Sequence, residues 1–224
     1  MQAVWKYFRP NGGLGDAGGK GAGGMNGSAN KNSLVRVLCT AADLIAARNP
    51  EPGYEIIDIG AGCGVVLAAA FAYGASSAVG MELKNEGQAD VFRNFVTILG
   101  KHGVGSHCIH VEYGVDVKEL TELPTVQPTG SHMPRFAFAF CEGWAEPCRR
   151  HMFALVAADV QVQVFICSGG RAKKDAFKGH KQILEALNGP AVGAPFERLP
   201  KPLKTAMFSS GETKILHIFQ RMRS

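Results

Sequence analysis

Two patterns of apolar residues alternate along this chain. Apolar runs of strand length occupy residues 54–59, 77–83, 107–112, 136–141 and 160–168. Between them, apolar residues recur at helical spacing within residues 65–73, 86–99, 117–123, 146–158 and 174–187. Strands that alternate with helices are typical of a parallel sheet covered by helices on both faces.

The two ends of this region depart from the alternation. An amphipathic helix is predicted to begin at Asn32 or Ser33, which can cap it, and to end before Asn49-Pro50. Near the other end, residues 205–209 and 214–221 flank Ser-Gly-Glu-Thr, which indicates a hairpin. We therefore predict an α/β, doubly wound, mostly parallel seven-stranded sheet that closes with a C-terminal antiparallel hairpin.

The first 30 residues differ from the rest in composition. Residues 11–30 contain nine glycines, and Leu14 and Met25 are their only large apolar residues, so this stretch cannot bury enough surface to order itself. We predict that residues 1–30 form an N-terminal segment with a glycine-rich flexible arm or lid, or a plain linker. Residues 31–224 are predicted to form one domain.

The cysteines and apolar segments exclude several classes of protein. The six cysteines show no C-x-x-C pair and no zinc-type histidine spacing, so we predict reduced thiols, no metal site and an intracellular protein. No secretory signal and no apolar run of 18 residues is present, so we expect a soluble protein without a membrane partner.

The net charge of +5 is unevenly distributed. Residues 1–133 carry 10 basic and 12 acidic side chains, whereas residues 134–224 carry 14 and 7. The C-terminal part therefore either contacts a polyanion, DNA or RNA, or presents a solvated basic face.

The stretch Asp58-Ile-Gly60-Ala-Gly62-Cys-Gly64 follows the first predicted strand. It lacks the G-x-G-x-x-G spacing of dinucleotide sites, and a carboxylate at Asp58 would repel a pyrophosphate. The same carboxylate suits a ligand with an ammonium or a sulfonium group. Glu82 ends the second predicted strand, where an acid can accept both hydroxyls of a ribose.

Over residues 31–221 these motifs resemble class I S-adenosylmethionine (SAM) dependent methyltransferases. The resemblance implies SAM as methyl donor and S-adenosylhomocysteine as product. It places the methionine end on Asp58 and the glycine turn, and the ribose on Glu82. Asp116 would hold the adenine amine or simply cap a helix. The implied cofactor residues are Asp58, Gly60, Ala61, Gly62, Gly64, Glu82, Leu83, Tyr113 and Asp116.

The glycine turn, Gly80-Met-Glu82-Leu and the terminal hairpin also resemble the disruptor-of-telomeric-silencing histone-lysine methyltransferases, which are not SET-domain enzymes. That resemblance implies a protein-lysine acceptor, with a histone or nucleosome as candidate partner and the nucleus as its compartment; the cytoplasm is the alternative. Phe140, Glu142 and Trp144 would be catalytic. The two aromatic rings would desolvate the lysine ammonium and lower its pKa, while Glu142 would dock the lysine or accept a proton. Unlike the better-known members, this chain has no paired asparagines before Trp144.

Other functions remain open at this point. An RNA methyltransferase is the main alternative, although Asn-Pro-Pro-Tyr, frequent in nucleobase methylases, is absent. A non-catalytic SAM-binding adaptor and a dehydrogenase are further alternatives. The basic residues available to a polyanion are Arg149, Arg150, Arg171, Lys173, Lys174, Lys178 and Lys181.

Overall fold

The computed structural model describes residues 30–83, 87–128, 131–141, 144–169, 177, 179–189, 194–206 and 213–223. Its centre is an eight-stranded sheet. Five strands are parallel: β1 (Tyr54–Ile59), β2 (Ala75–Glu82), β3 (Ile109–Tyr113), β4 (Arg135–Ala139) and β5 (Val162–Ser168). They lie in the order β3-β2-β1-β4-β5, so the chain reverses its direction of travel across the sheet after β3. The ends of β1 and β4 meet at this switch point, where open α/β sheets bind ligands.

Helices cover both faces of the sheet, as predicted. They are α1 (Lys31–Ala46), α2 (Val65–Ala70), α3 (Gln88–Gly100), α4 (Glu146–Ala158) and α5 (His180–Leu187). Apolar residues of α1, α2 and α3 form one core on the first face, and those of α4 and α5 form a second core on the other. The doubly wound α/β class predicted from the sequence is therefore confirmed.

Three antiparallel strands complete the sheet: β6 (Phe196–Arg198), β7 (Leu203–Ala206) and β8 (Thr213–Arg221). β8 pairs with β5 on one side, and both β6 and β7 pair with β8 on its other side. Pro200 and Pro202 lie between β6 and β7. Because proline has no N–H to donate, the seventh position of the sheet is filled by two short strands.

Three details of the prediction are wrong. The sheet has eight strands rather than seven, because β6 was not predicted. The helix predicted at residues 117–123 is a single 3₁₀ turn at Val117–Glu119, because Leu120 takes an extended conformation with ψ 139°. Pro124 further disfavours a helical conformation at the residue before it. Asn30, rather than Asn32 or Ser33, caps α1, since its Oδ1 accepts the Ser33 N–H at 2.9 Å.

The amino ends of the strands are held by a buried ionic network. The Glu55 carboxylate in β1 is fully buried and lies 2.9 Å from Nε of Arg135 in β4. It also accepts hydrogen bonds from Thr125 Oγ1 at 2.8 Å and from the Val126 N–H at 3.0 Å. This network lies at the amino ends of the parallel strands, opposite the switch point at their carboxyl ends.

Arg221, the last residue of β8, connects this end of the sheet to the C-terminus of α4. Its guanidinium donates to the carbonyl oxygens of Val156, Ala157 and Asp159 at 2.9–3.1 Å. It also donates from Nε to the Val162 carbonyl in β5. The end of β8 therefore caps the C-terminus of α4, whose last carbonyls have no partner within the helix.

Candidate active site

The glycine turn leaves β1 at the switch point and leads into α2. Gly60, Gly62 and Gly64 have φ values of 90°, 54° and 75°, a backbone conformation that side chains disfavour. A Cβ at Gly64 would lie 2.5 Å from the Phe92 ring, and one at Gly60 would lie 2.9 Å from the Trp144 ring. A Cβ at Gly62 would meet no atom within 4 Å. The turn is thus packed on both sides and open at its middle glycine.

Asp58 lies two residues before Gly60, between Gly80 and Phe138 of the neighbouring strands. Its side chain is buried, with 2% of the residue exposed. Burial, together with a smaller contribution from the nearby Glu82 carboxylate, raises the pKa of its carboxyl group to about 8. A cationic group placed here would favour the ionised carboxylate.

Two predicted residues hold the middle glycine of the turn. The Gly62 N–H donates to Glu82 Oε2 at 2.8 Å, and the Tyr113 hydroxyl donates to the Gly62 carbonyl at 3.2 Å. The ends of β2 and β3 therefore fix the shape of the loop after β1. Ala61 is buried and its N–H donates to the Met81 carbonyl, whereas Leu83 is 46% exposed beside the turn.

Asp116 caps the 3₁₀ turn that follows β3. Its Oδ1 accepts the Lys118 N–H at 3.0 Å, and Lys118 Nζ lies 3.1 Å from Oδ2. The backbone hydrogen bond from Lys118 is the main cause of a lowered Asp116 pKa. The capping alternative therefore describes this side chain, and its contact with adenine stays a prediction.

The predicted acceptor residues lie at the end of β4. Phe140 packs against the core formed with α1–α3, and Trp144 packs against the core formed with α4 and α5. The two half-buried rings therefore flank the end of β4 on opposite faces, with Trp144 next to Gly60. Glu142 lies outside the described residues, and the catalytic roles of all three stay predictions.

The structure adds Phe92 of α3, which the sequence analysis did not single out. Its ring contacts the position of a Cβ at Gly64 and meets Tyr113 edge to face, with ring centroids 6.5 Å apart. In the sequence Phe92 is one of several apolar residues at helical spacing. That pattern marks it as a core residue and does not reveal its contact with the turn.

The basic residues named from the sequence have different environments. Arg149 is buried, and its guanidinium lies 5.3 Å from the centre of the Phe177 ring, so it is not a surface contact for a polyanion. Arg150 and Lys181 are exposed, and Arg150 pairs with Glu146 at 2.7 Å. Arg171, Lys173, Lys174 and Lys178 lie outside the described residues.

The described part of the chain contains neither a metal-binding cluster nor a membrane-spanning helix. Within it, no group of three or more histidine, cysteine, aspartate or glutamate side chains is arranged to hold a metal ion. None of the described helices combines the length and apolarity needed to cross a bilayer.

Comparison with solved structures identifies the fold. A candidate RNA methyltransferase from Pyrococcus horikoshii aligns over 100% of both chains with 16% identity and a TM-score of 0.58. A candidate O-methyltransferase from Klebsiella pneumoniae aligns over 100% of this chain and 91% of its own, with 11% identity and a TM-score of 0.59. Magnesium protoporphyrin IX methyltransferase from Synechocystis PCC 6803, solved with bound SAM, aligns over 99% and 96%, with 16% identity and a TM-score of 0.52.

No protein-family model and no curated protein sequence matches the chain. The resemblance to the histone-lysine enzymes therefore gains no support from these comparisons, and none of the three structures above is a histone methyltransferase. At identities of 11–16% the likeness extends to architecture alone. The chain has the Rossmann-like fold of class I methyltransferases.

Proposed function

We propose that this protein is a SAM-dependent methyltransferase. The observation that carries the proposal is the buried Asp58 carboxyl, which lies beside Glu82 at a glycine turn that is open at Gly62. A buried carboxylate is costly unless a cation compensates it. The methionine end of SAM brings two cationic groups, an ammonium and a sulfonium.

The neighbouring acid fits the rest of such a ligand. The Glu82 carboxylate accepts the Gly62 N–H, and it lies at the end of β2, where an acid can accept ribose hydroxyls. The Asp58 carboxylate would repel a pyrophosphate, which disfavours the dehydrogenase alternative.

Bound SAM supplies a methyl group on a good leaving group, so the protein's task is to orient an acceptor and to exclude water. Trp144 is suited to this task because its ring packs on Gly60, where the methionine end would lie. Phe140 presents an apolar surface on the other face of β4. The acceptor would approach between these rings.

RNA is the acceptor class that we place first. Charge supports it, because the excess of basic residues lies in the part of the chain that follows residue 133. A candidate RNA methyltransferase with the same fold over the full chain supports it too. A protein lysine, with a histone as candidate, is the second acceptor class, because Phe140 and Trp144 provide apolar surface that would lower an ammonium pKa.

The test is methyl transfer from radiolabelled SAM to total RNA, free histones, nucleosomes and a cell extract, run in parallel. Asp58→Ala is the inactive control, and Asp43→Ala, which removes an exposed carboxylate from α1, is the matched control. Label in RNA that Asp58→Ala abolishes and Asp43→Ala keeps would support the proposal.

The other outcomes separate the alternatives. Label in a protein band alone would move the acceptor to protein. SAM binding without label in any fraction would indicate a non-catalytic adaptor, and stabilisation by NAD but not by SAM would refute the proposal.

A further inference from the structure

Three basic side chains meet on the α5 face of the sheet, away from the glycine turn. They are His180 at the start of α5, Arg198 at the end of β6 and His217 in β8. The two imidazole ring centroids are 5.8 Å apart, and His217 is only 9% exposed. We call these three residues the basic cluster.

The side chains that shift the pKa values of the two imidazoles in the basic cluster are all basic. Burial, with smaller contributions from Arg198 and His180, lowers the pKa of His217 to about 4. Burial also lowers the pKa of His180, with smaller contributions from Arg198 and from Lys181 of α5. Among the described residues, no carboxylate contributes to either shift. The cluster therefore keeps both imidazoles neutral until a negative charge arrives.

Two buried nitrogen atoms of the cluster lack a partner. Arg198 Nε and His217 Nδ1 make no hydrogen bond with any described residue. Arg198 Nε always carries a hydrogen, and His217 Nδ1 carries one in the protonated ring. Buried donors are almost always satisfied, so these two unpaired atoms mark a place where the described chain supplies no partner. Both atoms are closed to solvent, so an anion would first meet the half-buried His180 and Arg198 side chains, and its negative charge would favour the protonated rings.

The strand register places the cluster relative to the proposed methyl-transfer site. Ile59 pairs with Ala139, Ala139 with Cys167, and Cys167 with His217, so these residues form one row across the sheet. Three strand spacings give a distance of about 14 Å along this row. His217 therefore lies at the level of the residue that precedes the glycine turn. An acceptor that spans this distance can reach both places.

We propose that His180, Arg198 and His217 bind a backbone phosphate of the RNA acceptor, at a distance from the nucleotide that receives the methyl group. The choice of RNA rests on the proposed function. The phosphate binding itself requires no SAM and can be measured without methyl transfer. A free phosphate ion carries the same anionic oxygens as a backbone phosphate, so binding is measured with inorganic phosphate and with an oligoribonucleotide.

The first measurement uses the wild-type chain and inorganic phosphate. The imidazole nitrogens of His180 and His217 are titrated by NMR with and without phosphate. A bound phosphate favours the charged rings, so we expect both pKa values to rise, and chloride at equal ionic strength to leave them unchanged. If phosphate leaves both values unchanged, the chain itself fills the cluster and the proposal is wrong.

The second measurement follows binding of a single-stranded oligoribonucleotide of about a dozen nucleotides against salt concentration. Arg198→Gln should weaken binding about tenfold and reduce the slope of log K against log salt by about 0.7, the loss of one phosphate contact. His180→Gln, at a half-buried position, should weaken binding in the same direction. Arg223→Gln is the matched control, because it removes an exposed cation at the opposite end of the strands.

The outcomes distinguish the phosphate site from the proposed function. RNA binding that Arg198→Gln and Arg223→Gln reduce equally would refute the phosphate site and would leave methyl transfer intact. Methyl transfer to protein without any RNA binding would refute it as well. RNA binding that depends on Arg198, in a protein that neither binds nor uses SAM, would support the phosphate site and refute the proposed function.

Discussion

Replacing Asp58 by asparagine should stabilise the ligand-free protein and abolish its use of SAM. The Asp58 carboxyl has a pKa of about 8 in the folded protein, against an ordinary value of 3.8. Between these values the folded state holds one proton more than the unfolded state, so the free energy of unfolding falls as the pH rises from about 4 to about 8. Asparagine has the shape of the neutral acid and does not titrate.

The size of the effect follows from the same pKa values. At about 1.4 kcal/mol per pH unit, ionisable Asp58 costs up to about 4 kcal/mol of stability at pH 7 and about 1.5 kcal/mol at pH 5. Asp58→Asn should recover most of this difference, which for a chain of this size corresponds to a rise in Tm of about 10 °C near neutral pH. SAM affinity should fall at least tenfold, because the compensating carboxylate is lost.

Urea unfolding at several pH values between 5 and 8 tests the reasoning, with Asp43→Asn on the exposed face of α1 as the matched control. The stability difference between Asp58→Asn and wild type should widen with pH, while that of Asp43→Asn should stay near zero. A variant less stable than wild type at pH 7, or a difference that does not depend on pH, would refute the argument.

Three further substitutions test other parts of the structure. Gly80→Ala would place a Cβ 2.7 Å from a neighbouring side chain and should cost about 1–3 kcal/mol in urea unfolding, whereas Gly100→Ala, at an open position in α3, should be neutral or stabilising. Glu82→Ala should reduce SAM affinity about tenfold or more by calorimetry, and unchanged affinity would remove this residue from the site. Arg135→Met should destabilise the protein by about 3–5 kcal/mol because it leaves the buried Glu55 without its cation; a loss below 1 kcal/mol would contradict that pairing.

Most helices and strands could be predicted because the spacing of apolar residues depends on neighbours that are close in sequence. β1 and α4 were predicted with their observed bounds, since each has a clear apolar period and a clear boundary. β6 was missed because three residues followed closely by prolines show no period. The helix expected at residues 117–123 failed because the conformation of Leu120 overrides a weak apolar pattern.

Some features of the candidate site could be predicted from the sequence, and others depend on how separate elements pack. The positions of Asp58, Glu82 and the glycines near the carboxyl ends of β1 and β2 could be predicted because each follows from a strand boundary, and their roles in cofactor binding stay predictions. The contacts of Trp144 with Gly60 and of Tyr113 with Gly62 depend on how separate elements pack, and no spacing in the chain encodes them. The basic cluster was missed for the same reason, since its members come from three elements.

The position of β8 has a consequence for synthesis of the protein. β8 follows every other described strand in the chain, yet it lies inside the sheet between β5 and the pair β6 and β7. While the chain is being made, β5 therefore presents a row of unpaired backbone groups, the kind of edge that recruits strands from other molecules. A nonsense mutation shortly before residue 213 would remove β8 and leave every other described strand, and its product should accumulate as aggregates rather than as a less stable folded protein.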